Sequence, residues 1–391
     1  MPHELFPSEF DHQPLSRAEI DGVAGKKLKV LLLSSELEDY ALEYANGLPR
    51  DCEVMLWVPE RRFARFKGQT APHVELRLLD WPRHRSLRNI AFLFRLIVMI
   101  RRADPAVVHF LANTVLWLNL LIPFLKGRTV VTTIHDVTTH PGDKDTQVLP
   151  TWATGFLPKY SNYIVVHGEN LRSETARKFN RPLDAIAVLD HPALTRYARL
   201  APKTASDGSP ENGRFTVLFF GRIFAYKGLK YLIESEERVA AALPAARFVI
   251  AGRGEAMDGY CQAVADAARY DFIDRFIPDE EVAALFTRAD IIALPYVEAS
   301  QSGVLALAAA FGKPVVATDV GELRETVERA DMGLVVPPRD AVALADAIIA
   351  LGRDDALRAR YAAGARRYAE TTISPQTVGQ HALEFYRRAV R

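Results

Sequence analysis

One segment constrains the fold of this chain more than any other: residues 295–321, PYVEASQSGVLALAAAFGKPVVATDVG. An apolar run over 291–294 precedes it, and a second apolar run lies within it at 314–318. Between the runs come a polar loop, Glu298-Ala299-Ser300-Gln301-Ser302-Gly303, and an alanine-rich stretch that stops at Gly312. Strand, loop, helix and strand in that order predict a parallel βαβ unit, with the loop at the carboxyl edge of the sheet. The loop then opens a helix at Ser300, Gln301, Ser302 and Gly303, where backbone N–H groups lack intrahelical acceptors and the helix dipole is positive. An anion such as a diphosphate is favoured at that place. The small side chains of the helix let it pack closely on the sheet.

The same alternation runs through the whole chain. Strands are expected at 28–33, 53–58, 74–79, 106–110, 129–134 and 163–167, with helices near 40–48 and 87–101 among those between them. A second series follows at 216–220, 247–251, 272–277, 290–294, 314–318 and 333–336. Residues 201–213, APKTASDGSPENG, separate the two series and read as a linker or exposed loop. A length of 391 residues exceeds one ordinary core. The expectation is an α/β protein of two doubly wound Rossmann-like domains facing a central cleft. The domains span 27–200 and 214–374, behind an N-terminal arm at 1–26.

Composition narrows the function classes. Hydrophobic residues make up 49% and charged residues 25%, as in soluble globular enzymes. A net charge of +1 supplies no global pull toward nucleic acid. Cys52 and Cys261 are far apart, without metal spacing, and fit a reducing cytoplasm. The polar, acidic first residues lack the apolar core of a secretory signal, and no apolar run reaches membrane-spanning length. The segment 83–102, RHRSLRNIAFLFRLIVMIRR, is basic and amphipathic. It reads either as a packed helix with a solvated basic face or as a helix lying on an anionic membrane. Trp117, Leu118, Leu121, Ile122 and Phe124 follow and would extend an apolar acceptor rim.

Several pieces of the second half, taken in order, resemble the nucleotide-sugar domain of the family-4 glycosyltransferases, which have the two-domain GT-B fold. They are Phe220-Gly221-Arg222-Ile223, Tyr226-Lys227-Gly228-Leu229, Val249-Ile250-Ala251-Gly252-Arg253-Gly254, Pro278-Asp279-Glu280-Glu281-Val282 and the segment 295–321. The resemblance implies that Arg222 and Lys227 grip the donor diphosphate, Arg as a planar fork and Lys as a point charge. Cations aimed at the leaving group would stabilise the charge that bond cleavage places there. Ser300, Ser302 and the N–H groups of Gly303 and Val304 are further diphosphate candidates, with Gln301 between them. Both serines also suit N-capping, which can coexist with anion binding. Gly221, Gly252 and Gly254 either shape the nucleotide pocket or simply form tight turns.

The match departs from the family pattern at one point. Many members carry two glutamates eight positions apart on this loop and helix. Glu298 can serve as the first, but the second falls at Ala306 or Leu307. More of the donor contact would then rest on Ser300, Gln301, Ser302 and Gly303. In the first half, the strand at 129–134 ends in His135-Asp136. A polar pair at a strand's carboxyl end is expected to face the cleft, and the resemblance places His135 beside the donor sugar. His109 and His167 occupy similar strand ends and rank below it. His140 and Asp143 either bind acceptor or close the turn at Pro141-Gly142. No metal site is expected, because that turn disrupts a helical ligand face. The final helix, opened by Ser374-Pro375, is expected to pack back on the first domain.

The resemblance implies a metal-independent, retaining hexosyltransferase that needs no cofactor beyond a UDP- or GDP-sugar donor. His135, Asp136 and Glu298 are its catalytic candidates. Its acceptor would be a saccharide or a prenyl-diphosphate-linked saccharide of a surface or exported polysaccharide, reached at the inner face of the cytoplasmic membrane. The rival readings are a noncatalytic sugar-nucleotide-binding subunit and a GT-B sugar-nucleotide epimerase. A phosphorylase lacks its pyridoxal-phosphate lysine context here. A dehydrogenase is disfavoured because Gly-Arg-Ile-Phe follows the strand at 216–220 in place of a glycine-rich dinucleotide turn.

Overall fold

The computed structural model describes residues 27–83, 86–112, 115–137, 155–201 and 214–390. They form two parallel sheets. The first contains β1 (Leu28–Ser34), β2 (Cys52–Pro59), β3 (Val74–Leu79), β4 (Val107–Ala112), β5 (Thr129–Thr133), β6 (Tyr163–Val166) and β7 (Ile186–Val188). The second contains β8 (Phe215–Phe220), β9 (Ala246–Gly252), β10 (Tyr270–Asp274), β11 (Ile291–Leu294), β12 (Val315–Thr318) and β13 (Gly333–Val336). The spatial orders are β3-β2-β1-β4-β5-β6-β7 and β10-β9-β8-β11-β12-β13.

Helices cover both faces of each sheet, so the central strands are continuous apolar runs. In β1 the residues Val30, Leu31, Leu32 and Leu33 are all fully buried, as are Ile291, Ile292, Ala293 and Leu294 in β11. In both sheets the order reverses between two adjacent strands, β1 and β4 in one and β8 and β11 in the other. Such reversals open a crevice at the carboxyl edge, where α/β proteins bind ligands. The loops after β8 and β11 are the ones that carry Arg222, Lys227 and Ser300.

Two expectations are corrected. The strand expected at 272–277 lies earlier, at Tyr270–Asp274. Aromatic stacking sets that register, with Tyr270 4.9 Å from Phe248 and 5.2 Å from Phe272 between ring centroids. Beyond the strand, Arg275 turns outward to a bidentate pair with Glu281. The short edge strand β7 was not anticipated: its residues are all apolar, but three are too few to mark a strand. Residues 1–26 and 202–213, expected as arm and linker, lie outside the described residues.

The helix Pro375–Ala389 packs on the helix Glu38–Gly47 of the first half. Glycines make the close approach possible: a Cβ at Gly47 would stand 1.8 Å from the Pro375 carbonyl oxygen, and one at Gly379 2.0 Å from the Gly47 carbonyl oxygen. Around this seam Tyr44 and Tyr386 share a hydroxyl hydrogen bond of 2.8 Å, and Tyr386 also meets His109 Nδ1 at 2.5 Å.

Side chains also join the two sheets' domains. Arg196, 3% exposed, pairs with Asp39 at 2.7 Å on one side and with Asp279 on the other. Glu43, 2% exposed, accepts from the N–H of Arg196 at 2.6 Å and from the Thr195 hydroxyl at 3.0 Å.

Candidate active site at the sheet edges

The helix Gly303–Ala310 begins at the crevice between β8 and β11. Ser302 holds the N-cap position in extended geometry, yet its side chain makes no capping hydrogen bond. Its hydroxyl pairs instead with the Tyr296 hydroxyl at 3.2 Å. The first-turn N–H groups therefore keep no side-chain cap, and a Cβ at Gly303 would meet nothing within 4 Å. An uncapped helix start facing open space is a place for an anion.

Two cations stand at this edge. Arg222, exposed after β8, donates to the Tyr226 hydroxyl at 3.2 Å. The Lys227 ammonium lies 3.7 Å from the centroid of Tyr296, which is 1% exposed, and 5.2 Å from that of Tyr226. Tyr296 is itself fixed, because its carbonyl accepts from the Thr318 hydroxyl at 2.6 Å. One buried ring thus touches both Lys227 and Ser302. Glycine holds the neighbouring loops together. Gly221 has φ +119° and lies 3.5 Å, measured from an added Cβ, from Val304. A Cβ on Gly252 would fall 1.7 Å from the Gly221 carbonyl oxygen, and one on Gly254 1.9 Å from that of Ile223. These two glycines let the ends of β8 and β9 converge.

Ser300 and Ser302 are 7% and 8% exposed, and Gln301 lines a narrow cavity of about 40 Å³ with Ser302. His167, His191, Glu322 and Arg329 complete this part of the wall, so both domains contribute. Glu322 follows the end of β12, and its N–H donates to the Ser300 carbonyl at 3.1 Å. Its carboxylate accepts from the Leu171 N–H at 2.8 Å and the Asn170 amide at 3.4 Å, at the start of the helix Glu169–Phe179. Burial holds the Glu322 carboxyl above its ordinary range, against those backbone hydrogen bonds. Of the two positions that the family pattern gives for a second glutamate, Ala306 lines this cavity at 6% exposure, while Leu307 packs in the core at 3%.

His135 does not face this cavity. Its Nε2–H donates to the Leu111 carbonyl at 2.9 Å, and its ring packs 4.7 Å from Tyr40 and 5.0 Å from His167. His167, its neighbour, is the ring that lines the cavity. The Nδ1–H of His167 donates to the Leu189 carbonyl at 2.8 Å. Its Nε2 has no hydrogen-bond partner among the described residues. Burial, reinforced by neighbouring histidines, pulls His167 well below its ordinary value and His191 down to about 4. Burial also lowers His135, with Asp136 and the Leu111 carbonyl acting in the opposite direction. These rings are neutral at pH 7 and can accept or relay a hydrogen bond without carrying charge.

Asp136 is exposed beside His135. Glu298 is also exposed and borders a separate cavity with Tyr226 and Tyr260. His140 and Asp143 lie outside the described residues. Among the described residues no group of three metal-ligating side chains comes together. Tyr296, His191 and Glu322 were missed from sequence. The signal available for Glu322 was its place just beyond a strand end; the other two offered only a tyrosine after a proline and a His-Pro pair.

Comparison with known proteins agrees with this geometry. Residues 214–354 match the family model described as Glycosyl transferases group 1, and residues 37–192 match Glycosyltransferase Family 4. Phosphatidyl-myo-inositol mannosyltransferase of Mycobacterium leprae is 36% identical over 45% of this chain and 48% of its own length. The protein of the same name from Mycolicibacterium smegmatis is 32% identical over 57% and 58%. The chain thus spans about half the length of these two curated relatives. Anabaena HepE, solved in complex with UDP, superposes with a TM-score of 0.70 over 92% of this chain and 100% of that one, at 19% identity.

Proposed function

The chain belongs to family 4 of the glycosyltransferases and has the GT-B fold, and from that premise we propose that it transfers a hexose from a nucleoside-diphosphate sugar to a saccharide acceptor. One observation carries the reading: the uncapped helix start at Gly303 meets open space beside Arg222 and Lys227. A diphosphate leaving group fits that arrangement, because the N–H groups and both cations would oppose the charge that develops as the glycosidic bond breaks. The mannosyltransferase names of the two mycobacterial relatives support a hexose, and the UDP complex of HepE supports a nucleotide donor.

Retention of anomeric configuration is part of the proposal. The acceptor hydroxyl attacks on the face that the diphosphate leaves, and a phosphate oxygen takes its proton. Neutral His167, which lines the shared cavity, suits a hydrogen bond with the donor or acceptor. His135 then acts behind it, and Asp136 is the carboxylate to test there, since Glu298 borders the other cavity. No bound metal is required in this scheme, because fixed cations and helix N–H groups neutralise the leaving group.

The acceptor side is proposed to be a saccharide or lipid-linked saccharide presented at a membrane. The helix Arg88–Ala103 supports this, with Phe94 71% and Ile90 74% exposed and Leu87 88% exposed just before it. Arg88, Arg95, Arg101 and Arg102 are exposed on the same element. Apolar side chains with an arginine border suit an anionic lipid surface. No helix among the described residues is long and apolar enough to cross a membrane.

Thermal unfolding with UDP, GDP and their sugars tests the donor. One nucleotide should raise the melting temperature well beyond the others, since stabilisation follows affinity. No response to any nucleotide would overturn the reading. Donor binding without transfer to any acceptor extract would point to a binding subunit, and NMR of the product anomer decides retention.

A further inference from the structure

A cavity of about 650 Å³ lies in the second domain, between the turn Ala225–Lys227, the helix Leu229–Glu234 and the helix Asp258–Ala263. This volume is in the range of small-molecule sites. Arg222, Lys227, Ser300, Gly303 and the glycines after β9 are not among its walls, so it is separate from the proposed diphosphate site. Three tyrosines, Tyr226, Tyr231 and Tyr260, line it together with alanine, isoleucine and valine side chains. Gly259 borders open space, since a Cβ there would meet nothing within 4 Å.

The polar wall consists of Lys230, Glu234 and Glu298. Lys230 pairs with Glu234 at 3.5 Å, which leaves one net negative charge. That charge opposes phosphates and nucleotides. Flat phenol rings with carboxylates beside them suit a neutral polyhydroxy ring, whose C–H face covers the aromatic and whose hydroxyls donate to the carboxylates.

We propose that this cavity binds a saccharide, and that its occupancy is felt at the donor site through Tyr226. That residue is 5% exposed, lines the cavity, and accepts a hydrogen bond from Arg222 at 3.2 Å. Its carbonyl also accepts from the Val297 N–H at 2.8 Å, which ties the turn to the loop carrying Ser300. A ligand against Tyr226 therefore shifts the hydroxyl that orients Arg222. This second clause rests on the donor reading; the first does not.

The test uses the full chain labelled with 3-fluorotyrosine and titrated with mannose, glucose, N-acetylglucosamine and maltotriose. The fluorine resonances of Tyr231 and Tyr260 should move saturably with at least one of them. Gly259→Trp, which fills the space, and Tyr260→Ala, which removes a wall, should each weaken that response roughly tenfold or more. Melting curves establish that both variants are folded, and UDP and GDP binding without saccharide should stay at the parent level. Saturating saccharide should change the parent's nucleotide affinity by about threefold or more. Titrations that leave both resonances unmoved, or a folded Gly259→Trp that binds as well as the parent, overturn the site. Tighter binding of glucose 6-phosphate than of glucose overturns the neutral-ligand assignment. If saccharide binds and neither nucleotide does, the donor reading fails and the cavity stands.

Discussion

Tyr296 serves two charged or polar partners from one buried position. Its ring lies 3.7 Å beneath the Lys227 ammonium, and its hydroxyl meets Ser302 at the helix start. A cation over an aromatic face gains about 0.5–2 kcal/mol, more as water is excluded. Tyr296→Leu should therefore weaken UDP or GDP binding about 3- to 30-fold by calorimetry. Tyr296→Phe keeps the ring and should lose less. Equal losses in the two variants would show that the hydroxyl alone matters. The histidines give a second residue-level expectation. His167→Ala removes an unpaired buried nitrogen at the cavity, so transfer should drop about 10- to 100-fold with nucleotide affinity nearly unchanged. His135→Ala, one ring behind, should cost less in single-turnover assays.

At the scale of elements, the seam between Glu38–Gly47 and Pro375–Ala389 depends on two glycines in mutual contact. Gly379→Val places a side chain against the Gly47 backbone, and backbone cannot yield as a flexible side chain can. The expected loss is about 1–3 kcal/mol in urea unfolding, and an unchanged midpoint would contradict the packing. Elements were legible in the sequence where the signal was local. The runs at 28–33 and 291–294 are buried on both faces, so their hydrophobicity is continuous. Tyr270–Asp274 interrupts its aromatic and apolar residues with two aspartates at a sheet edge, which shifts its apparent start. The polar loop Ser300-Gln301-Ser302-Gly303 was readable because one βαβ unit carries it. Glu322 and Arg196 were not readable, since Glu322 meets Leu171 and Arg196 meets Asp279, each far away in the chain and in the other half. Nothing in a local pattern marks a side chain whose purpose is met across a domain boundary.

For the whole molecule, the meeting of the two domains around buried neutral histidines makes stability depend on pH. Burial, and then the proximity of His135, pulls His109 down to about 3 and His191 to about 4, from an ordinary 6.5. As pH falls below 6.5 the unfolded chain takes up protons that the folded chain refuses. This stabilisation is complete above pH 6.5 and declines by about 1.4 kcal/mol per histidine per pH unit until the folded values are reached. Asp39, Glu43, Asp290 and Glu322 are held above their ordinary range by burial and act in the opposite sense, favouring the fold at the acid end. Four histidines outweigh them between pH 6.5 and 5, so the urea midpoint should fall across that interval. A flat midpoint would refute the neutral cluster, and His191→Asn should make the slope shallower by about one proton's contribution.

The late helix Pro375–Ala389 carries a further consequence for how this protein is made. Val378, Ala382, Leu383 and Tyr386 belong to the same buried cluster as the first strands, Val30, Leu32 and Leu56. During synthesis the first half therefore leaves the ribosome with one wall of its core still untranslated. The second half, whose strands are contiguous from Phe215 to Val336, can close while the first is waiting. Maturation is therefore expected to run against birth order along this chain, with the nascent first domain as the stretch that chaperones would have to shelter.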